Sequence, residues 1–215
     1  MSVKIVPAIL TDSVDELNTQ LRIARQLTDR VQIDIIDGEY VDNTTIQPED
    51  IQKPIDSKLD LHLMVNDVMG YITQCISLNP HTIIFQFDAL RLQRDILEAI
   101  DAIKSAGFRA GLAINPEVEV ATIEKFIPKI DHVLIMGYPA GFAGQKFQRA
   151  VIDKVALVRA IRPDIEVGID GGVNHQTLKV VASGDFDVVN VNTYLFHNHE
   201  SDPLTVYSQL LEALL

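Results

Sequence analysis

The chain has 215 residues, of which 47% are hydrophobic, so it can bury one sizeable core and fits one domain, residues 1–215, better than two. Its formal net charge of -12 argues against nucleic acid and anionic membrane surfaces as partners, because their phosphates would be repelled. A single cysteine, Cys75, excludes an intrachain disulfide, and without a secretory leader or a bilayer-length apolar run the sequence predicts a cytoplasmic protein.

Short apolar runs alternate with segments of helical periodicity along the chain, which is typical of a parallel sheet with crossover helices. The predicted strands are 4–9, 31–38, 58–64, 82–87, 109–114, 132–136, 166–170 and 187–191. The predicted helices are one capped by Asp12 or Ser13, then 68–78, 92–106, 118–127, 151–161, 175–183 and 203–215. Eight such units favour a (β/α)8 TIM barrel. The alternative is an open doubly wound sheet, which is disfavoured because no Gly-x-Gly-x-x-Gly turn follows the first strand.

Asp34 is the anomaly of the second strand, because it interrupts a β-branched run that is typical of a strand covered on both faces. A buried carboxylate is costly unless a partner, a metal or a proton compensates it. Strand alternation places Gln32 and Asp34 on one face. The burial of the Asp34 carboxylate therefore requires a compensating group nearby.

Polar residues also end the other strands, where barrel enzymes carry their chemistry. His62 alone would more often be a hydrogen-bonded core residue, and Asp170 before two glycines often only holds a turn. Burying Asp34, His62 and Asp170 together without a shared task would be costly, which favours a functional site. The remaining histidines are interpreted as solvated or capping residues: His81, His132, His175, His197 and His199.

Two glycine-bearing loops follow the sixth and seventh strands, near the position where barrels of this type hold phosphate. Residues 141–145 are flexible enough to close over a ligand. Gly171 and Gly172 open a helix and present backbone N–H groups to an anion.

The motifs as an ordered set resemble the ribulose-phosphate 3-epimerase family from Pro7 to Phe196. They are Pro7-Ala8-Ile9-Leu10, Ile33-Asp34-Ile35-Ile36-Asp37-Gly38, Asp60-Leu61-His62-Leu63-Met64-Val65, Gly141-Phe142 with Gly144-Gln145, and Ile169-Asp170-Gly171-Gly172-Val173. The resemblance implies a phosphate-binding barrel, usually oligomeric, that inverts C3 of a phosphorylated ketose through an enediolate. It implies Asp34 and Asp170 as the acid/base pair.

The resemblance also implies a divalent metal held by Asp34, His62, Asp170 and the position of Gln32, where the family has a second histidine. A glutamine oxygen is a harder and weaker donor than imidazole, so we expect zinc or iron to give way to manganese or magnesium, or no metal at all. Substrate and phosphate contacts are expected at Met64, Met136, Gly141, Phe142, Gly144, Gly171, Gly172, Asn192 and Thr193.

Other departures from the family lie in the same region. Gln86 stands where a histidine is expected, and Ala8 where a serine is expected. The Ser-Val-Asn-Pro segment before the loop is Gly137-Tyr138-Pro139-Ala140, and the Gly-Ser pair after the eighth strand is Asn192-Thr193. These changes predict a reshaped wall around the sugar.

Two alternatives to an epimerase remain at this stage. One is a metal-free, non-catalytic barrel that binds a sugar phosphate or a protein partner. The other is a related decarboxylase or aldolase, which is weaker because Ile36 stands where such decarboxylases carry a lysine and Lys146 lies in a loop rather than at a strand end.

Overall fold

Eight parallel strands close into a barrel in which each strand pairs with its neighbours in chain order and the last pairs with the first. The computed structural model describes residues 3–52, 55–197 and 201–214. The strands are β1 (Lys4–Ile9), β2 (Arg30–Ile36), β3 (Lys58–Met64), β4 (Thr82–Gln86), β5 (Arg109–Ile114), β6 (His132–Met136), β7 (Glu166–Asp170) and β8 (Val188–Val191). The predicted TIM barrel is confirmed, and the open sheet is excluded because the eight strands close on themselves.

The helices cover the outside of the barrel. They are α1 (Val14–Leu27), α2 (Val68–Ile76), α3 (Gln93–Ser105), α4 (Val120–Ile123), α5 (Lys154–Ile161), α6 (His175–Ala182), α7 (Thr193–Phe196) and α8 (Pro203–Glu212). Ser13 is the N-cap of α1, its hydroxyl accepting the N–H of Glu16.

Two predicted helices are shorter than the periodicity suggested, and α7 was not predicted. The segment 118–127 forms only α4, and a 3-10 turn follows over Ile127–Lys129, where Pro128 has no N–H to continue an α-helix. The segment 151–161 begins as a 3-10 turn and becomes helical at Lys154. His199 and the predicted helix end at Leu215 lie outside the described residues.

Alternation along the strands separates two apolar regions. On β2, Ile33 and Ile35 belong to the large core between strands and helices, whereas Ile36 belongs to a smaller cluster with Met64 and Met136. Because successive side chains of a strand point to opposite faces, the even-numbered residues of β2 face the barrel interior. This alternation brings Gln32 and Asp34 inside the barrel.

A buried ion-pair network closes the amino-terminal end of the barrel. Arg30 Nε lies 2.6 Å from Asp60 Oδ2, and its Nη2 lies 2.8 Å from Glu166 Oε1. His132 is 1% exposed and its Nδ1 lies 2.8 Å from Glu166, so its assignment as a solvated or capping residue was wrong. Burial opposes ionisation of Glu166, but hydrogen bonds from His132 and Arg30 outweigh it and hold the pKa of Glu166 well below its usual range.

Candidate functional site

Strand register brings the acidic and imidazole side chains to one end of the barrel. Asp34 on β2 is paired directly with His62 on β3, and Asp170 is the last residue of β7. All three side chains are buried, at 4%, 0% and 7% exposure. The three residues singled out from the sequence therefore meet at the carboxyl end of the barrel.

Gln32 joins the two carboxylates through its amide nitrogen. Gln32 Nε2 donates to Asp34 Oδ1 at 2.8 Å and to Asp170 Oδ2 at 2.5 Å. The Gln32 carbonyl oxygen accepts from Asn190 Nδ2 at 2.6 Å. One neutral amide thus bridges two buried acids whose charges would otherwise repel each other.

His62 lies beside the same pair, with its Nδ1 3.1 Å from Asp34 Oδ1 and 3.8 Å from Asp170 Oδ2. On the other side of the ring, Gln86 Nε2 lies 2.9 Å from His62 Nε2. An amide nitrogen can only donate, so His62 Nε2 accepts and Nδ1 carries the proton. His62 is therefore a hydrogen-bond donor to Asp34 in this arrangement.

Burial, followed by the negative charge of Asp34, raises the pKa of Asp170 to about 7, against the lowering effect of His62 and Gln32. A carboxyl group that titrates near neutrality, in a cavity and beside a second carboxyl group, suits proton transfer at physiological pH.

The acidic pair and His62 can also hold a divalent cation, since one ligand atom from each of Asp34, His62 and Asp170 lies within 4.8 Å of the others. Within the described residues, Gln86 Oε1 and Asn190 Oδ1 are buried without a hydrogen-bond partner. Turning the Gln86 amide would let Oε1 accept from His62 Nε2 and free the Nδ1 lone pair for a cation. Turning Asn190 and Gln32 together would direct the Gln32 oxygen to the carboxylates, which its predicted ligand role requires. The residues therefore fit a cation.

A cavity of about 220 Å³ opens beside Asp170. Its lining comes from the ends of β7 and β8 and from the segments after β6, β7 and β8. The lining residues are Tyr138, Gly144, Gln145, Asp170, Gly171, Gly172, Val173, Asn174, Asn190, Asn192, Thr193 and Tyr194. Five of the predicted contact residues thus lie together: Gly144, Gly171, Gly172, Asn192 and Thr193. Positive φ angles of 102° at Gly171 and 72° at Gly172 form the turn that brings backbone into this wall.

The other four predicted contacts do not line this cavity. Met64 and Met136 are buried in the interior cluster with Ile36. Gly141 packs its backbone close to the Val41 side chain, and Phe142 is 47% exposed in the same loop. Their roles as substrate contacts stay predictions.

Sequence reasoning placed Tyr138 in the wall around the sugar only as a departure from the family, and it did not assign Asn190 to the site. A bulky aromatic next to a glycine loop was a usable signal for Tyr138. Asn190 is only a polar strand end in the sequence, because nothing there shows which side chain it contacts.

Within the described residues no helix is long and apolar enough to cross a membrane.

Solved structures of low sequence identity share the fold. KGPDC from Streptococcus mutans matches with a TM-score of 0.78 at 11% identity, covering 99% of this chain and 97% of that one. The 3-hexulose-6-phosphate synthase from Salmonella typhimurium matches with a TM-score of 0.68 at 14% identity, covering 99% and 98%. At these identities the likeness concerns the barrel alone.

Sequence relatives are closer. A ribulose-phosphate 3-epimerase from Chlamydia pneumoniae is 29% identical over 220 residues, covering 98% of this chain and 93% of the relative. The Bacillus subtilis (strain 168) ribulose-phosphate 3-epimerase is 31% identical over 189 residues, covering 83% and 85%. Residues 4–196 match the family described as "Ribulose-phosphate 3 epimerase family". With the barrel and the buried acidic pair already described, this match shows that the chain belongs to the ribulose-phosphate 3-epimerase family.

Proposed function

We propose that the protein is an epimerase of a phosphorylated ketose, which inverts C3 by proton transfer between Asp34, Asp170 and the substrate. The observation that carries the proposal is that both buried carboxylates accept hydrogen bonds from one amide, Gln32 Nε2, at 2.8 and 2.5 Å. Two carboxyl groups this close can act on one carbon atom. Family membership supports the reaction class.

The two acids have different environments, which suits different roles. The raised pKa of Asp170, about 7, leaves a large fraction of this group protonated at neutral pH. In the proposed reaction Asp34 takes the C3 proton, the electron pair moves toward the C2 carbonyl, and Asp170 delivers its own proton to the opposite face of C3. The return of the electrons from the enediolate restores the carbonyl, so no redox partner is needed.

The enediolate oxygen needs a positive or hydrogen-bonding neighbour. His62 Nδ1–H and Gln32 Nε2–H are the donors beside the carboxylates. Asp34, His62 and Asp170 would hold a divalent cation, and when bound it would supply positive charge at this oxygen. The same cation would lower the pKa of Asp170.

The test is hydrogen exchange at C3. The protein is incubated with ribulose 5-phosphate in deuterated water, with and without added Mn²⁺, Mg²⁺ or Zn²⁺, and label at C3 is followed by NMR. We expect label in the unsubstituted protein and a loss of at least about 100-fold in Asp34→Asn and Asp170→Asn, the scale of a general acid or base. Asp15→Asn, at an exposed aspartate in the first turn of α1, is the matched control. No label with ribulose 5-phosphate or another ketose phosphate would overturn the proposal.

A further inference from the structure

Tyr138 lies in the cavity wall that the glycine loops form beside Asp170. Its ring covers the Gly171 backbone so closely that a Cβ on Gly171 would lie 3.1–3.2 Å from the outer ring carbons. Tyr138 lines the cavity together with Gly144 and Gly172. Its side chain therefore forms part of the same wall as the backbone of both glycine loops.

The Tyr138 hydroxyl can donate its O–H to a ligand oxygen in this cavity. Burial, then the negative charges of Asp170 and Asp34, raise the pKa of Tyr138 well above its usual range. The phenol is thus a neutral donor throughout the physiological pH range.

The charges around the cavity make such a donor useful. The lining contains no lysine or arginine within the described residues, and its one ionisable carboxyl group is Asp170. The net charge of the chain is -12. An anion bound here must therefore be held by neutral dipoles, namely backbone N–H groups, the amides of Asn174 and Asn192, the Thr193 hydroxyl and the phenol.

We propose that Tyr138 is a substrate-binding residue that donates its O–H to the terminal phosphate of the ketose, in the wall that it shares with Gly144 and Gly172. The proposal rests on the proposed function, because it names a contact of that substrate. With this contact, the phosphate affinity of the chain depends on the Tyr138 side chain. A site made of glycine backbone N–H groups alone would not respond to that substitution.

Inorganic phosphate is the probe. Its dissociation constant is measured by calorimetry for the unsubstituted protein and for Tyr138→Phe, which removes one oxygen and keeps the ring over Gly171. We expect phosphate to bind about 10- to 100-fold more weakly to the variant, the worth of a hydrogen bond to a charged group. Tyr207→Phe is the control. Tyr207 lies on α8, outside the cavity, and its hydroxyl donates to the Ile5 carbonyl at 3.2 Å.

The opposite result is equally informative. Equal or tighter phosphate binding by Tyr138→Phe would show that the phenol blocks the glycine donors, and it would overturn the inference. Absence of phosphate binding by the unsubstituted protein would overturn it as well.

A KM measurement in the C3 exchange assay separates this inference from the proposed function. Exchange with an unchanged KM in Tyr138→Phe would overturn the role of Tyr138 and leave the epimerase standing. Weaker phosphate binding by the variant, with no exchange in any protein, would overturn the epimerase and leave the Tyr138 contact standing.

Discussion

Gln32 changes the chemistry of the acidic pair more than its size suggests. At this position an imidazole would bind a cation, and the cation would balance the charge of the carboxylates. The Gln32 amide instead donates hydrogen bonds to both carboxylates and carries no charge. A neutral donor weakens the repulsion between Asp34 and Asp170 only in part. The raised pKa of Asp170 is the consequence of burial and of that incomplete compensation.

The raised pKa of Asp170 predicts how stability depends on pH in the absence of metal. The folded-state pKa of about 7 exceeds the ordinary value of 3.8, so the folded protein binds more protons than the unfolded chain between these values. The contribution of Asp170 to the free energy of unfolding should therefore fall as pH rises from about 4 to about 7, by a few kcal/mol, and then level off. Urea unfolding with a chelator should show that Asp170→Asn removes this fall. An identical pH dependence in the variant would contradict the raised pKa.

Restoring the family's histidine tests the role of Gln32 in metal binding. In Gln32→His an imidazole nitrogen replaces a weaker amide oxygen, so we expect Zn²⁺ to bind at least about tenfold more tightly. Calorimetric titration of the metal-stripped proteins gives the affinities and the stoichiometry. His62→Ala should abolish the gain, because it removes a neighbouring ligand. Equal zinc affinity in Gln32→His and the unsubstituted protein would place the metal elsewhere.

The loop after β6 and the turn after β7 act as one structural element. The Gly137 N–H donates to the Asp170 carbonyl at 2.6 Å, and the Tyr138 ring covers Gly171. Gly171 needs its positive φ and also the space that a side chain would fill. The position of Tyr138 is thus fixed by backbone on both loops.

Gly171→Ala should destabilise the protein more than Gly107→Ala does. Both residues have positive φ angles, 102° and 87°, so both substitutions carry the backbone cost of about 1 kcal/mol. Only at Gly171 would the new methyl group contact a ring, at 3.1 Å, whereas nothing lies within 4 Å at Gly107. We expect an additional loss of about 1–3 kcal/mol in urea unfolding. Equal losses would mean that the Tyr138 ring moves away at no cost.

The whole barrel has different polar networks at its two ends. At the carboxyl end, the Asp170 carboxyl group and neutral amides line a cavity, whereas at the amino end Arg30 pairs with Asp60 and Glu166. In TIM barrels the first end carries chemistry and the second carries stability. The ionic network joins β2, β3 and β7, which are distant in sequence.

Removing Arg30 should therefore destabilise the barrel without changing metal binding. Arg30→Met leaves the buried Asp60 without its cation and removes one of the partners of the partly buried Glu166, so we expect a loss of about 3–5 kcal/mol in the free energy of unfolding. Arg94→Met is the matched control, since Arg94 is 82% exposed and its pair with Asp95 contributes little. Calorimetric metal affinity, measured under conditions where the variant is folded, should equal that of the unsubstituted protein. A loss no larger than that of Arg94→Met would contradict a stabilising role.

The alternation of apolar runs and helical segments was sufficient to predict the barrel, because the βα repeat depends on local periodicity that each segment carries. The same reasoning singled out Asp34, His62 and Asp170, because a polar residue within an apolar strand can be recognised from the sequence alone. It overextended the helix at 118–127, which forms only over Val120–Ile123 before a 3-10 turn at Ile127–Lys129. It also misassigned His132, whose position at the start of a strand does not show that it faces the interior.

Only the tertiary structure decided the partners of these groups. The bridge from Gln32 to Asp170, the contact of Asn190 with Gln32 and the position of Tyr138 over Gly171 each join residues from different βα units. Barrel closure and strand register set these contacts, and a side chain's hydrogen-bond partner follows from distance and direction in space. Local sequence indicates which segments form buried strands, but it carries no information on which distant side chain a strand residue contacts.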